Sequence, residues 1–437
     1  MAPMLRAALT VVCLLLGLWP VSAAGPNIVL LFADDLGYGD LGVFGNPTIR
    51  TPELDRLASE GLRMTSFYSA PSCVPARVQL LLGRYPSRAA VGRTSVGGDG
   101  GIPADLTTLA QGLRAAGYRT AMAGKWHLGY VREEFLPVGK GFDRWFGLPY
   151  SNDMVKPWVQ TDEPLWLYRG AKRVDHPVDQ DQLTMLYTAE VLDVIREESE
   201  RPFFAYLAYS MPHLPLRTAG RFRGKSRAGL YGDVIEAIDW SAGQILRALD
   251  EAGKGRDTIV IFTSDNGPWL NLPDRMLSGG VRPWHAGSPG PLRGAKHTTY
   301  EGGVRVPLIV RWPGTVRAGS VTAEIGATMD IYATLLKAAG AEVPDGSDGH
   351  DLAELWAGRT GQSPRREFVY HRGSGAQGIR VGPWKLRTAD GDELFHLDFD
   401  HSERYNVAEE HPEIAAELRR RLAEFEARVA SEVRLLQ

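Results

Sequence analysis

Cysteine is scarce in this 437-residue chain, which contains only Cys13 and Cys73. Cys13 falls in an N-terminal segment with the pattern of a removable leader, so we expect the mature protein to carry one thiol. A single cysteine cannot form an intramolecular disulfide, which excludes a disulfide-stapled scaffold. In an exported protein, an unpaired cysteine therefore calls for another explanation.

Long apolar runs, repeats and a strong charge bias are also missing. No run is long enough to span a bilayer as a helix, and no fixed-period repeat indicates a solenoid or propeller. The formal net charge of -3 gives no reason to expect nucleic acid or a membrane as a partner. The nearest N-glycosylation pattern, Asn46-Pro47-Thr48, is disqualified by its proline. Together these absences favour an exported bacterial protein over a lysosomal glycoprotein.

The N-terminus has the three parts of an export signal. Arg6 precedes an apolar run over residues 7–19, Pro20 ends that run, and Val21-Ser22-Ala23 is a small-residue cleavage site. We expect residues 1–23 to be a signal peptide cleaved near Ala23. The mature protein would then be periplasmic or secreted, without a transmembrane segment.

Continuous apolar runs alternate with helical patterns along most of the chain. Runs typical of buried strands occupy residues 27–33, 118–123, 201–207, 258–263 and 308–312, and residues 64–70 have the pattern of a further short strand. They predict an α/β fold, in which helices sandwich a large, mixed and mostly parallel sheet. Four short strand-like segments and a helical pattern follow from about residue 365. We expect a catalytic domain over residues 24–364, and a small antiparallel sheet plus helix over residues 365–437.

Chemically active residues follow several of these strands directly. Because parallel strands end at the same edge of a sheet, their following residues should lie close together. Carboxylate and amide oxygens in such a group would suit Ca²⁺ or Mg²⁺. There is a simpler alternative for each of these residues. A pair of aspartates before a glycine is also typical of a solvated turn, and an isolated lysine or histidine is usually found on the protein surface. The strand-end residues are Asp34, Asp35, Lys125, His127, His213, Asp265 and Asn266.

Cys73 allows three interpretations from its local sequence, Ser72-Cys73-Val74-Pro75-Ala76-Arg77. It could be a small buried hydrophobic residue, which is a common fate of a free cysteine. It could be a thiolate nucleophile activated by Arg77, although the spacing is too short for a phosphatase loop. It could also be the precursor of a chemically modified residue.

The wider set of motifs resembles the type I sulfatases, in particular the arylsulfatase A group. The resemblance covers essentially the whole mature chain, and its motifs occur in the order found in that family. The matching segments are Cys73-Val74-Pro75-Ala76-Arg77, Leu82-Gly83-Arg84, Gly124-Lys125-Trp126-His127-Leu128-Gly129, Gly147-Leu148-Pro149-Tyr150-Ser151, Ser264-Asp265-Asn266-Gly267, Lys296 ahead of Glu301-Gly302-Gly303, and Glu393-Leu394-Phe395-His396-Leu397 followed by Glu403 and Asn406.

The resemblance implies an alkaline phosphatase-like fold and a sulfuric ester hydrolase. It implies that a maturation enzyme oxidises Cys73 to formylglycine (3-oxoalanine), whose hydrated aldehyde attacks sulfur with the help of Arg77. His213 and Lys296 would bind the sulfate and protonate the leaving oxygen, and His127 would deprotonate the second hydroxyl. Ca²⁺ would be held by Asp34, Asp35, Asp265 and Asn266 with the modified Cys73, and the sulfate oxygens by Lys125 and Ser151.

The sequence leaves the substrate open among a sulfated sugar, a sulfolipid and an aryl sulfate. We expect loops 152–180 and 268–295 to select it, since they are rich in aromatic and basic residues. Two other functions are compatible with the sequence. One is hydrolysis of phosphate or phosphonate esters within the same superfamily, and the other is non-catalytic binding of sulfated glycans.

Overall fold

The computed structural model describes residues 25–373 and 375–435, so the expected signal peptide lies outside the described residues. Strand β1 (Asn27–Ala33) is at the centre of the fold, and all its side chains after Asn27 are buried. Successive side chains of a strand point to opposite faces. Accordingly Val29 and Leu31 belong to one hydrophobic cluster, and Ile28 and Leu30 to another. A strand buried on both faces requires helices on both sides of its sheet.

The large sheet contains ten strands in the order β10-β2-β9-β8-β1-β7-β3-β4-β5-β6. Strand β1 is parallel to β7 and β8, and β3 is parallel to β7, whereas β9 is antiparallel to β2 and β8. The sheet is therefore mixed, as the sequence predicts. The other strands are β2 (Leu62–Tyr68), β3 (Arg119–Gly124), β4 (Arg144–Gly147), β5 (Leu167–Arg169), β6 (Lys172–Asp175), β7 (Phe203–Ala208), β8 (Thr258–Ser264), β9 (Arg305–Arg311) and β10 (Ser320–Ala327).

Helices cover both faces of this sheet. The described α-helices are α1 (Pro52–Ser59), α2 (Cys73–Leu82), α3 (Leu109–Ala115), α4 (Leu183–Arg196), α5 (Gly229–Glu251), α6 (Glu301–Val304), α7 (Thr328–Ala338), α8 (Ala353–Trp356) and α9 (Pro412–Leu435). Helices α1, α4 and α5 contribute Leu54, Val191 and Ile238 to the cluster that contains Val29. Helices α2, α3 and α7 contribute apolar side chains, including Leu81 and Leu336, to the opposite cluster. The predicted sandwich of helices around the sheet is confirmed.

A second, antiparallel sheet lies in the C-terminal part of the chain. It contains β11 (Glu367–Arg372), β12 (Gly375–Val381), β13 (Trp384–Arg387) and β14 (Glu393–His396), in sequence order. Apolar side chains of α9, including Leu422 and Phe425, share a third cluster with Ile379 and Leu386 of this sheet. The predicted small sheet and helix are present, and β11 begins two residues after the expected boundary at residue 365. The division into two domains stays a prediction.

Four strands of the large sheet were not expected from the sequence. Strands β5 and β6 are both short and lie in the segment 152–180, for which the sequence predicts a loop. Strand β10 has a half-exposed first part, where Thr322 and Glu324 resemble surface residues. Strand β4 has only four residues. Within the part of the chain that the structure describes, no helix combines the length and apolar character needed to cross a membrane.

Candidate active site

Strands β8, β1, β7 and β3 are neighbours, and their carboxyl ends form the floor of the candidate site. Backbone hydrogen bonds continue the pairing past the strand ends. The N–H of Asp265 donates to the carbonyl of Ala33 (3.1 Å), and the N–H of Lys125 donates to that of Ala208 (2.9 Å). The N–H of Asp34 bonds to the carbonyl of Met211 (3.1 Å). This pairing brings the polar residues after four strands to one edge of the sheet.

The acidic residues and the amide form one buried group. The backbone N–H of Asp35 donates to Oδ1 of Asp265 (2.9 Å), and Nδ2 of Asn266 donates to Oδ1 of Asp35 (2.7 Å). Asp34, Asp265 and Asn266 have no solvent exposure, and Asp35 has 3%. Ligand atoms of Asp34, Asp35, Cys73 and His213 all lie within 4.8 Å of one another. A solvated turn would expose these aspartates, so that interpretation is wrong.

The donor set fits a hard divalent cation such as Ca²⁺. Carboxylate and amide oxygens are the preferred ligands of Ca²⁺ and Mg²⁺. Oδ1 of Asn266 is buried and has no hydrogen-bond partner among the residues that the structure describes. An unpaired buried carbonyl oxygen is costly, and a cation beside the neighbouring carboxylates would satisfy it. The oxygens of Asp34, Asp35, Asp265 and Asn266 are therefore of the kind that such a cation binds.

Three buried cations face the three carboxylates. Nζ of Lys125 is 2.5 Å from Oδ2 of Asp34, and Nζ of Lys296 is 2.7 Å from Oδ1 of Asp35. Nη2 of Arg77 is 3.3 Å from Oδ2 of Asp265. Positive charge beside Cys73, where Nζ of Lys296 is 3.5 Å from Sγ, also suits the binding of an anionic group.

The pKa values of the acids reflect the competition between burial and these charges. Burial raises the pKa of Asp34, but the surrounding cations, with Lys125 first among them, together outweigh burial and leave that pKa well below its usual range. Burial also raises the pKa of Asp35, whereas the charge of Lys296 and the proximity of His213 lower it. The lowering effects are larger in sum, so the pKa of Asp35 lies below its usual value. Burial and the negative charge of Asp34 raise the pKa of Asp265 to about 8, although Arg77 opposes them. Asp265 is therefore the carboxylate with the least compensation.

Cys73 is the first residue of α2 and lies between an acid and a cation. Its Sγ is 3.4 Å from Oδ1 of Asp34 and 3.5 Å from Nζ of Lys296. Burial raises the pKa of the Cys73 thiol well above its usual value. This shift disfavours a thiolate nucleophile. A merely hydrophobic role is also a poor match for a sulfur surrounded by charged groups.

His213 and Ser151 form a polar contact chain with Lys125. Nδ1 of His213 donates to the carbonyl of Leu214 (2.6 Å), so in the neutral ring Nε2 carries the lone pair. Nε2 lies 3.4 Å from Oγ of Ser151 and 3.7 Å from Oδ2 of Asp35. Oγ of Ser151 also accepts from Nζ of Lys125 (3.4 Å). The chain places a potential proton carrier and two hydrogen-bond donors side by side.

His127 occupies a backbone conformation that side chains other than glycine rarely adopt. Its φ is +62°, and that of Asp35 is +68°. Such conformations cost free energy and are often found at functional sites. Nδ1 of His127 is buried without a partner among the described residues, and burial with the charge of Lys125 lowers its pKa well below the usual value. A neutral imidazole with an unpartnered nitrogen is suited to accept a proton.

The structure thus brings together every site residue that the sequence indicates, and the roles assigned to them stay predictions. It also adds Trp269, which sequence reasoning missed. The Trp269 ring lies 4.6 Å from Nζ of Lys296 and 5.4 Å from the ring of His213. Its only sequence signal was its place in loop 268–295, shared with several other aromatic residues.

Comparisons with known proteins agree with this geometry. Residues 26–341 match the family described as Sulfatase, and residues 295–428 match N-sulphoglucosamine sulphohydrolase, C-terminal. The chain is 38% identical to N-acetylgalactosamine-6-sulfatase of Rattus norvegicus over 423 residues, covering 89% of this chain and 78% of the relative. It is 39% identical to arylsulfatase A of Homo sapiens over 390 residues, covering 83% and 75%.

A crystal structure of a sulfatase from Pseudoalteromonas sp. has the same fold. The two structures superpose with a TM-score of 0.82 at 28% identity, covering 93% of this chain and 91% of the other. The family match spans well over half of the chain, and the two sequence relatives exceed 30% identity over most of it. The chain therefore belongs to the sulfatase family and is a sulfate ester hydrolase.

Proposed function

We propose that this protein hydrolyses sulfate monoesters through a formylglycine formed from Cys73 and a Ca²⁺ ion. The observation that carries the proposal is the surroundings of Cys73. Cys73 is the first residue of α2, its Sγ contacts Asp34 and Lys296, and ligand atoms of Asp34, Asp35, Cys73 and His213 lie within 4.8 Å of one another. Asp34, Asp35, Asp265 and Asn266 would be the metal ligands, with the modified Cys73.

Formylglycine would supply a nucleophilic hydroxyl from its hydrated aldehyde, and Ca²⁺ would supply positive charge beside the reacting oxygens. The protein's own cations would bind the sulfate group. Lys125 pairs with Asp34 and Lys296 with Asp35, at the proposed metal ligands. Ser151 adds a hydroxyl beside Lys125. Arg77, whose Nη1 also donates to the carbonyl of Lys125 (2.9 Å), is held rigidly against Asp265.

Two histidines would act as the general acid and the general base of the reaction. Burial and the charge of Lys296 lower the pKa of His213, which is therefore neutral before a substrate binds. The negative charge of a bound sulfate would favour a proton on Nε2 of His213, which could then protonate the leaving oxygen. His127 has an unpartnered buried Nδ1, and its lowered pKa keeps the imidazole neutral, which is the form that can accept a proton. We assign His213 as the general acid, with Lys296 assisting it, and His127 as the base that permits sulfate release.

For the natural substrate we propose only a class, the sulfate monoesters of sugars or phenols. The name of the rat relative makes N-acetylgalactosamine 6-sulfate the first sugar sulfate to test, and that of the human relative supports an aryl sulfate. We also propose that the protein is exported, that a maturation enzyme modifies Cys73, and that residues 24–364 form the catalytic domain.

A matched pair of phenol esters tests this function. Protein co-expressed with a formylglycine-generating enzyme should cleave 4-nitrophenyl sulfate at a higher kcat/KM than 4-nitrophenyl phosphate. Cys73→Ala should abolish sulfate release, whereas Val74→Ala, at the next position of the same helix, should retain most of it. Chelation of metal should lower the activity, and added Ca²⁺ should restore it. Faster phosphate cleavage, or full sulfate release by Cys73→Ala, would contradict the proposal.

A further inference from the structure

Lys296 lies on a short closed loop, residues 293–302. The N–H of Gly302 donates to the carbonyl of Arg293 (2.7 Å), which joins the two ends of the loop. At its tip, the N–H of Lys296 donates to the carbonyl of Pro268 (2.9 Å), and that of His297 to the carbonyl of Pro71 (2.7 Å). The position of the Lys296 ammonium therefore depends on how this loop is held.

One residue of the C-terminal segment contacts both ends of the loop. The backbone carbonyl of Glu403 accepts from Nη1 of Arg293 (2.9 Å). The side chain of the same residue accepts, through Oε2, from the backbone N–H of Glu301 (2.6 Å). Glu403 has no solvent exposure. It follows β14 in the chain and is separated from Glu301 by 102 positions. The small sheet, which ends with β14, therefore places Glu403 against this loop.

Lys385 of β13 pairs with Glu403 and with the loop. Its Nζ is 2.7 Å from Oε1 of Glu403 and 2.9 Å from Oε1 of Glu301. All three side chains are fully buried. Glu301 has further partners, because Tyr68 donates to its Oε2 (2.6 Å) and Arg305 lies at 3.3 Å. A buried carboxylate needs a partner for its charge, and Lys385 supplies that partner to Glu403.

The backbone of Glu403 indicates that its side chain is required. Its φ is +51°, in the left-handed region that glycine occupies without penalty. A long charged side chain is an unfavourable choice for that conformation alone. The two contacts of its carboxylate, with the N–H of Glu301 and the ammonium of Lys385, give a reason for a glutamate here.

Arg387, on the same strand as Lys385, contacts the loop as well. Its Nε donates to Oγ1 of Thr299 (3.2 Å) and its Nη1 to the hydroxyl of Tyr300 (3.1 Å). We refer to Lys385, Arg387 and Glu403 as the C-terminal clamp. The clamp contacts loop 293–302 at both ends and at the two residues before Glu301.

We propose that Glu403 and Lys385 are positioning residues for the reaction, holding loop 293–302 so that Lys296 lies beside Asp35 and Cys73. This inference rests on the proposed role of Lys296. The small C-terminal sheet thereby contributes to the active site, because it positions the ammonium group of Lys296 although Lys296 lies outside that sheet.

A double-mutant cycle tests the clamp, with kcat/KM for a sulfate ester as the measured quantity. Glu403→Ala should lower kcat/KM by about tenfold or more, and Glu403→Gln, which keeps an oxygen to accept from Glu301, by about threefold. In a Lys296→Met background, the same two substitutions should have almost no further effect, because they act through Lys296. A purely structural role predicts that the losses multiply. Glu403→Gln carries the test if Glu403→Ala does not fold.

Arg365→Met is the matched control. Arg365 forms a buried pair with Asp330 of α7 (2.5 and 2.7 Å), which also joins the C-terminal region to the large sheet's helices without contacting loop 293–302. It should lower Tm and leave kcat/KM of the folded protein unchanged.

The outcomes separate this inference from the proposed function. Wild-type activity in Lys296→Met would overturn the role of Lys296, and the clamp with it. Loss of activity in Lys296→Met with full activity in Glu403→Ala would overturn the clamp alone. A loss in Arg365→Met equal to that in Glu403→Ala would also overturn it.

Discussion

Replacing Lys125 by methionine should destabilise the metal-free protein strongly. The Lys125 ammonium lies 2.5 Å from Asp34, and neither side chain is exposed to solvent. Methionine has nearly the same length, so the loss of the charge dominates over the change in packing. Removing one partner of a buried ion pair costs about 3 to 5 kcal/mol, because the other charge loses its nearest compensation. We expect the lower half of that range here, since Arg77 remains 3.7 Å from Oδ2 of Asp34.

This free energy converts into a measurable fall in Tm. The unfolding entropy is about 2.1 cal/mol/K per residue, or about 0.8 kcal/mol/K for about 400 residues. The expected fall is therefore about 4 to 5 °C, measured by calorimetry in the presence of a chelator. The double variant Asp34→Asn, Lys125→Met should regain most of the stability that Lys125→Met loses, because the carboxylate that lost its nearest partner is then also removed. The double variant should remain inactive.

Lys254→Met provides a control for the loss of a lysine. Nζ of Lys254 donates to the carbonyls of Ile195 (2.6 Å) and Glu197 (3.0 Å), so its removal leaves no carboxylate uncompensated among those contacts. It should lower Tm by less than Lys125→Met. Equal losses in the two variants, or a loss below about 1 °C in Lys125→Met, would refute the charge argument.

Three further substitutions test separate parts of the account. Asn266→Leu should raise the Ca²⁺ concentration needed for half-maximal thermal stabilisation by about tenfold or more, and an unchanged midpoint would exclude Asn266 as a ligand. Ser151→Ala should raise KM about fivefold with a smaller change in kcat, as expected for one lost hydrogen bond; a KM equal to wild type would remove Ser151 from the sulfate site. Burial raises the pKa of Asp239 to about 7, so its ionisation should reduce stability as the pH rises from about 4 to about 7. Asp239→Asn keeps the oxygen that accepts from Glu53 and Leu54 (3.0 and 2.8 Å) and should flatten the fall of Tm over that range; parallel Tm profiles of variant and wild type would contradict the pKa.

The core of the fold and the position of the site follow from local sequence signals. The run over Asn27–Ala33 is apolar throughout after Asn27, which is typical of a strand buried on both faces. The residues after such strands must converge, because parallel strands end at one edge. Asp34, Lys125 and Asp265 could therefore be placed together from the sequence, although their distances and partners could not.

The clamp lacked such signals. Lys385 and Glu403 lie 84 and 102 positions from Glu301. Lys385 resembles an ordinary surface charge in its local sequence, and Glu403 matches the family's C-terminal pattern without any sign of its contacts. Their burial depends on how the small sheet packs against loop 293–302, which no short-range pattern encodes.

Strand β10 does carry an alternation that marks a strand, with Val321, Ala323 and Ile325 apolar between polar neighbours. Its first two apolar side chains are exposed, so the pattern there does not indicate which face is buried.

The chemical state of Cys73 is the most direct test of the account. Active enzyme from the native host should be digested and the peptide containing Cys73 examined by mass spectrometry. We predict a peptide lighter by about 18 Da than the unmodified sequence requires, the change expected when the thiol side chain becomes an aldehyde. An unmodified cysteine in fully active enzyme would contradict the proposed mechanism.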